Sequence, residues 1–273
     1  MVRYGLRYQN NVFGQKHPES SKRSLKRSIA VFDELRLGVR DVQSLVDPAA
    51  GEVRIAVTVG PAIGFVPEVI DRVGRRYPRI TCRLTTGEHE GIFRKLEDRE
   101  ADLAIVFLTS AVDQSRMEAE ALFHAGPAVV VASANNALSR RRNIALADLM
   151  NEPWALPEPE GLFGYNHIFH AAGLKPPRLA VIADSIPIRL ALAARGRFLT
   201  MMPEPILRLS GRGMALKILP IPMAPGRYDI GFVTLKNRTL TSAAQIFIGY
   251  CREVAKDVKA QKRSGLRRPG STR

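Results

Sequence analysis

Cysteine is almost absent: Cys82 and Cys251 are the only two in 273 residues. They stand far apart in regularly patterned stretches, which excludes a disulfide framework and a cysteine zinc motif and fits a reducing, cytoplasmic compartment. No apolar run reaches the roughly 18 residues of a spanning helix, and the N-terminus lacks the charged, apolar and small-residue order of a secretory signal. Neither a membrane protein nor an exported solute receptor is therefore expected. Motifs that carry chemistry are missing too: there is no Gly-x-Ser-x-Gly elbow, no Gly-x-x-x-x-Gly-Lys and no Gly-x-Gly-x-x-Gly after a strand. His167 and His170 stand three apart on an expected helix without a third ligand. Glu158 and Glu160 are interleaved with Pro157 and Pro159 in a stiff loop without an acid–base partner. No catalytic residue, no cofactor and no metal site is expected.

What the chain has in excess is positive charge, +15 overall. That excess is uneven. Residues 1–50 carry +4 and residues 252–273 carry +6, so two thirds of it lies at the ends. A basic tail such as Lys259 to Arg273 is commonly a solvated terminus, and contact with nucleic acid through it would be salt-sensitive and indifferent to sequence.

The interior is organised around Gly51 to Phe107. A strand, Val53 to Val57, runs into Thr58-Val-Gly-Pro61 and an amphipathic helix to Arg76; a strand from Ile80 to Thr85 feeds a turn at Thr86-Gly-Glu88 and a helix through Asp98; a third strand spans Leu103 to Phe107. Short β-branched runs alternating with 3.6-period segments predict parallel strands joined by right-handed crossovers. Further strands are expected at Pro127 to Ala132, Trp154 to Leu156, Leu179 to Ile182, Leu199 to Met202 and Tyr228 to Thr234. Short helices are expected at Ile144 to Leu149, at Tyr165 to Ala172 with Gly173 closing it, and at Ile188 to Ala194 behind Asp184-Ser185, with a last helix from Ser242 through Val254. Upstream, Leu25, Ile29, Phe32, Leu35, Val39, Val42 and Val46 recur at spacings of three and four, a narrow seam that suits a helix pair better than a helix laid on its own domain, which stays the alternative.

Several segments together carry a family resemblance. AVFDELRLGVRDVQSLVDPAAGEVR, FVPEVIDRVGRRYP and LTTGEHEGIFRKLEDREADLAIVF, followed by PAVVVASANNALSRRRNIALADLMNEPWAL, AGLKPPRLAVIADSIPIRLALAARGRFLTMMP and YDIGFVTLKNRTLTSAAQIFIGYCREV, resemble LysR-type transcriptional regulators in order and spacing over residues 25–256. The resemblance implies an α/β, two-lobed, periplasmic-binding-protein-like effector domain preceded by a linker helix. Residues 1–20 would be irregular, 21–47 the linker and dimerisation helix, 51–126 with 223–256 lobe one, 127–222 lobe two and 257–273 a disordered basic tail. Family members begin with a winged helix-turn-helix, which Met1 to Ser20 does not supply, so DNA contact is expected only indirectly or non-specifically. Gly196-Arg-Phe198 also departs from the family's Gly-x-Gly, which sets a bulky side chain either beside the cleft or in the core.

By that resemblance a small effector lies between the lobes, against Thr58, Val59, Gly60, Thr86, Gly87, Phe107, Pro157 and Ser185. Hydroxyls and N–H groups at helix starts suit an anion, yet Thr58 and Ser185 serve equally well as plain N-caps. The implied partners are the effector and a second copy of the chain or a full-length relative. A stand-alone solute-binding protein of the same fold is the alternative function.

Overall fold

The computed structural model describes residues 28, 31–35, 38–39, 50–108, 112–126, 128–158, 165–211, 213–223 and 229–265. The expected irregular segment 1–20, most of the expected helix 21–47 and the last residues of the expected tail, 266–273, lie outside them. Residues 28, 31–35 and 38–39 are helical.

The first sheet is built by β1 (Ala50–Val57), β2 (Arg79–Thr86), β3 (Leu103–Leu108), β4 (Met117–His124) and β10 (Asp229–Leu235), in the order β2-β1-β3-β10-β4. β1 runs parallel to β2 from Ala50↔Arg79 to Val57↔Thr86 and parallel to β3, while β10 is antiparallel to both β3 and β4. Val53 to Val57 and the whole of Leu103 to Phe107 are buried, as expected of central strands covered on both faces.

Two helices stand where one was expected after β1: α1 (Val59–Ile63) and α2 (Phe65–Arg76), broken at Gly64. Pro67 has no N–H to offer the Ile63 carbonyl, so a continuous helix would lose that bond, whereas the first turn of a new helix accommodates proline. α2 buries Phe65, Val66, Val69 and Val73. α3 (His89–Glu97) covers the sheet with Ile92, Phe93 and Leu96.

β5 (Ala128–Ser133), β8 (Thr200–Pro203) and β9 (Leu216–Ile218) form a second sheet in the order β8-β5-β9, and β6 (Trp154–Leu156) pairs with β7 (Leu179–Ile182) in parallel. A bridge between Trp154 and Leu199 joins the two pieces, with Leu199 N–H donating to Pro153 O at 3.0 Å and Ala155 N–H to Leu199 O at 2.9 Å. The resulting order β7-β6-β8-β5-β9 repeats that of the first sheet, with the antiparallel strand again fourth. α4 (Asn166–Ala171), α5 (Ile186–Ala194) and α6 (Glu204–Ser210) belong to this lobe. Trp154 anchors its core, fully buried, with Nε1 donating to Leu149 O at 2.8 Å and its ring 5.8 Å from that of Phe169.

The last helix, α7 (Ser242–Gly265), extends beyond the expected end near Val254 into the segment expected to be disordered from 257. Its continuation is fastened: Val254 and Ala255 are buried, and Arg72 of α2 binds Glu253 at 2.9 Å and Asp257 at 2.8 Å. Four elements correct or complete the sequence expectation. β4 and β9 were unassigned, α6 follows Pro203 without a gap, and the helix at 144–149 is a single 3-10 turn, Leu146–Leu149.

Candidate functional site

A cleft of about 1070 Å³ opens between the two sheets. Its walls come from the end of β1, α1 and β3 on one side and from β6, α4, α5 and β8 on the other. Of the residues expected at the effector, Thr58, Val59, Gly60, Thr86, Phe107, Pro157 and Ser185 line it. Gly87 does not: its N–H donates to Val57 O at 3.3 Å and closes the turn after β2 instead.

Thr58 stands where parallel β1 ends. Its N–H donates to Ile105 O and its carbonyl accepts from Ala62 N–H, both at 3.1 Å, yet its hydroxyl caps nothing and Oγ1 is buried without a hydrogen-bond partner. A buried hydroxyl left unpaired costs about 1–3 kcal/mol. Ser185 does cap: its Oγ accepts from Ile188 N–H at 3.5 Å at the start of α5. Gly60 is required by close packing across the cleft base, since a Cβ there would lie 2.7 Å from Phe107 Cε2 and 3.0 Å from Ile206 Cδ1. Phe107 is held in turn by its carbonyl, 3.1 Å from His89 Nε2.

The helix-start argument for an anion is weaker here than the sequence suggested. α1 has five residues, and the N-cap of α3 is the acidic Glu88. The cleft's strongest positive group is one that sequence reasoning missed. Arg189, on α5, is 5% exposed, donates from Nη1 to Met201 O at 2.8 Å and leaves Nε unpartnered. Among the described residues no carboxylate forms an ion pair with it. Burial draws its pKa down to about 10, with the charge of Asp184 pushing the other way, so it remains a cation at neutral pH. The signal was present in the sequence: Arg189 is the single charge in the apolar run Ile186–Ala194. Met201, Met202, Ile206, Tyr165 and Ile168 also line the cleft, and no sequence motif singled them out.

Other candidates fall away. His167 lines the cleft and His170 does not, and no group of three potential metal ligands occurs among the described residues. Phe198 lies neither in the cleft lining nor in the buried core; it is half-buried with the Arg197 guanidinium 5.5 Å from its ring.

The sequence profile of the LysR substrate binding domain matches residues 47–256. The chain belongs to the LysR family. Among LysR relatives, the HTH-type transcriptional regulator GbpR of Azospirillum brasilense is 22% identical over 251 residues, covering 91% of this chain and 73% of its own. The transcriptional dual regulator GltC of Bacillus subtilis is 24% identical over 209 residues, covering 76% of this chain and 68% of GltC. The regulatory domain of CcmR from Synechocystis, solved in complex with 2-PG, superimposes with a TM-score of 0.60 at 22% identity, over 76% of this chain and 98% of that one. Such LysR relatives are transcriptional regulators, not enzymes, and the two-lobed α/β fold is that of LysR effector-binding domains. Among the described residues no helix is long and apolar enough to cross a membrane.

Proposed function

We propose that this chain is the effector-receiving part of a cytoplasmic LysR-type regulator, taking a small anion between its lobes and passing the event to transcription through its linker helix and its oligomeric state. One observation carries the anion: the cleft lining holds a buried arginine, Arg189, with no carboxylate among the described residues paired to it, and the unpartnered hydroxyl of Thr58 lines the same cleft. Burying a cation without a counter-charge is costly, and an incoming anion relieves the cost. Thr58, Val59, Gly60, Thr86, Phe107, Pro157 and Ser185 are the contacts, with Gly87 shaping the turn behind them. An effector that fits one lobe arrangement better than another by about 1–3 kcal/mol suffices to switch the regulator.

Dimerisation is the second half of the proposal. Val31, Phe32, Leu35 and Val39 are 59–67% exposed on the helical linker, an apolar stripe suited to a second copy or to a full-length relative. The experiment has two arms: fractionated cell metabolites are screened for a rise in melting temperature, and each hit is tested for a change in transcription of a neighbouring promoter in cells. Stabilisation by at least one fraction, lost in Thr58→Ala and matched by a change in transcription, is the expected result. A chain that no fraction stabilises would not be an effector module. Phe32→Glu is expected to shift sedimentation toward monomer, and co-expression with a tagged relative tests the mixed species.

A further inference from the structure

Charge within the cleft is segregated. Arg189 is its buried cation, while the acidic residues of its lining, Glu88, Glu90, Glu158 and Asp184, are all exposed and so lie on its solvent side. Asp184 is fixed there, its Oδ1 accepting from Glu158 N–H at 3.3 Å, so two of the acids are tied together. Between the acids and the arginine the surface is apolar and adaptable, with Met201, Met202, Ile206 and Phe107.

A ligand must satisfy all three layers at once. One negative charge is neutralised at Arg189, but a second, placed beside Glu88, Glu158 and Asp184, meets like charge and gains nothing; Glu90 is already paired with Arg94 at 2.7 Å. Thr58, Thr86 and Ser185 offer hydroxyls to a polar group of the ligand, but the part of the ligand that lies against Met201, Met202, Ile206 and Phe107 finds no hydrogen-bond partner in those side chains and must be apolar. We infer that the effector is a monocarboxylate with an apolar body, its carboxylate on Arg189 and its hydrocarbon against Met201, Met202, Ile206 and Phe107; dianions and phosphate-rich metabolites are rejected by the acids on the solvent side. This rests on the cleft being the effector site. Arg189 thereby becomes a specificity determinant: it supplies a planar fork for one carboxylate, and the exposed acids supply the repulsion that selects against others.

The test uses a matched set on the whole chain by isothermal titration: 3-phenylpropanoate, the neutral 3-phenylpropanamide and the dianion 3-(4-carboxyphenyl)propanoate. The monoacid is expected to bind at least tenfold more tightly than either analogue, and Arg189→Gln to abolish that preference. Since Arg189 also holds the Met201 carbonyl, the wild-type comparison of acid with amide stands independently of that variant. Ala171→Trp, an exposed α4 position on the cleft wall, locates the binding by blocking it. Equal affinity for acid and amide, or preference for the dianion, with binding still blocked by Ala171→Trp, overturns the inference and leaves the cleft as effector site. Binding that Ala171→Trp does not touch overturns both. No binding by any of the three overturns the inference, while the metabolite screen decides the effector role separately.

Discussion

Arg238 grips Asp33 by two hydrogen bonds, Nε to Oδ2 at 3.0 Å and Nη2 to Oδ1 at 3.3 Å, across 205 positions of sequence. The helical residues around Asp33 are thereby joined to the loop after β10. Asp33 also accepts from Arg99 at 3.1 Å, while Arg238 reaches Asp102 at 3.0 Å, and Asp102 binds Arg54 at 2.6 Å. Burial works against the Arg54 charge, but the hydrogen bond and charge of Asp102 outweigh it and raise its pKa. All of Asp33, Asp102 and Arg238 are at least 93% buried, so each charge depends on the others.

Removing one member of such a network strands the rest, at about 3–5 kcal/mol. Asp102→Ala is expected to cost that much in urea unfolding, because the Arg54 N–H loses its acceptor as well. Asp33→Ala is expected to expose the helical residues around Asp33 to limited proteolysis while the strands of the two sheets keep their protection. Equal proteolysis of wild type and Asp33→Ala would mean that the pair does not hold those residues.

Gly60 and Gly231 make a second prediction, with separable effects. Gly60→Ala pushes the Phe107 ring and Ile206 apart at the cleft base, and overpacking of this kind costs about 1–3 kcal/mol. Ligand affinity is expected to fall along with stability. Gly231→Ala sets a Cβ against the Glu120 carbonyl oxygen at the register shift in β10, so stability falls by at least as much. Its cleft is untouched, and affinity measured on the folded fraction should match wild type.

Glu120 supplies the pH prediction. Its hydrogen bonds from Arg252, at 2.8 and 2.7 Å, lower its pKa below the ordinary glutamate value. A carboxyl lowered in the folded state stabilises above its unfolded pKa and loses that contribution as pH falls through the folded one. The pair is largely exposed, so Glu120→Gln is expected to cost about 0.2–1 kcal/mol at pH 7. Urea midpoints of the two proteins should converge as the pH falls below the folded-state pKa of Glu120.

Cys251 is fully buried, and burial, as the leading cause, raises its thiol pKa far above the ordinary value; Cys82 is raised the same way to a lesser degree. Thiolate is the reactive form. Iodoacetamide at pH 8 is therefore expected to leave Cys251 unmodified in the native protein and to modify both cysteines in urea, read by mass spectrometry.

Periodicity made the first βαβαβ unit legible because β1 and β3 are central and buried, β3 reading as an unbroken apolar run, while the exposed edge strand β2 is still rich in β-formers, Ile80, Thr81, Thr85 and Thr86. β4 was hidden for the opposite reason: Met-Glu-Ala-Glu-Ala-Leu-Phe-His is poor in β-formers, and its pairing with β10, more than a hundred residues away, decides its state. α7 outlasted expectation because Arg72 holds Asp257, a tertiary contact no local pattern announces. In the cleft, loop residues such as Thr58 and Pro157 could be inferred from the family resemblance. Arg189 stands out in the sequence only as the single charge of its apolar run; that no carboxylate among the described residues forms an ion pair with it is decided by tertiary packing.

His124 and Asp229 face each other as partners at the ends of β4 and β10, their side chains 2.8 Å apart. The chain leaves the first sheet at one and re-enters at the other, so the whole of lobe two is a detour that starts and finishes at adjacent points. A change of length or sequence within that detour can therefore leave the strand order and register of the first sheet as they are, and with them the Arg238–Asp33 pair.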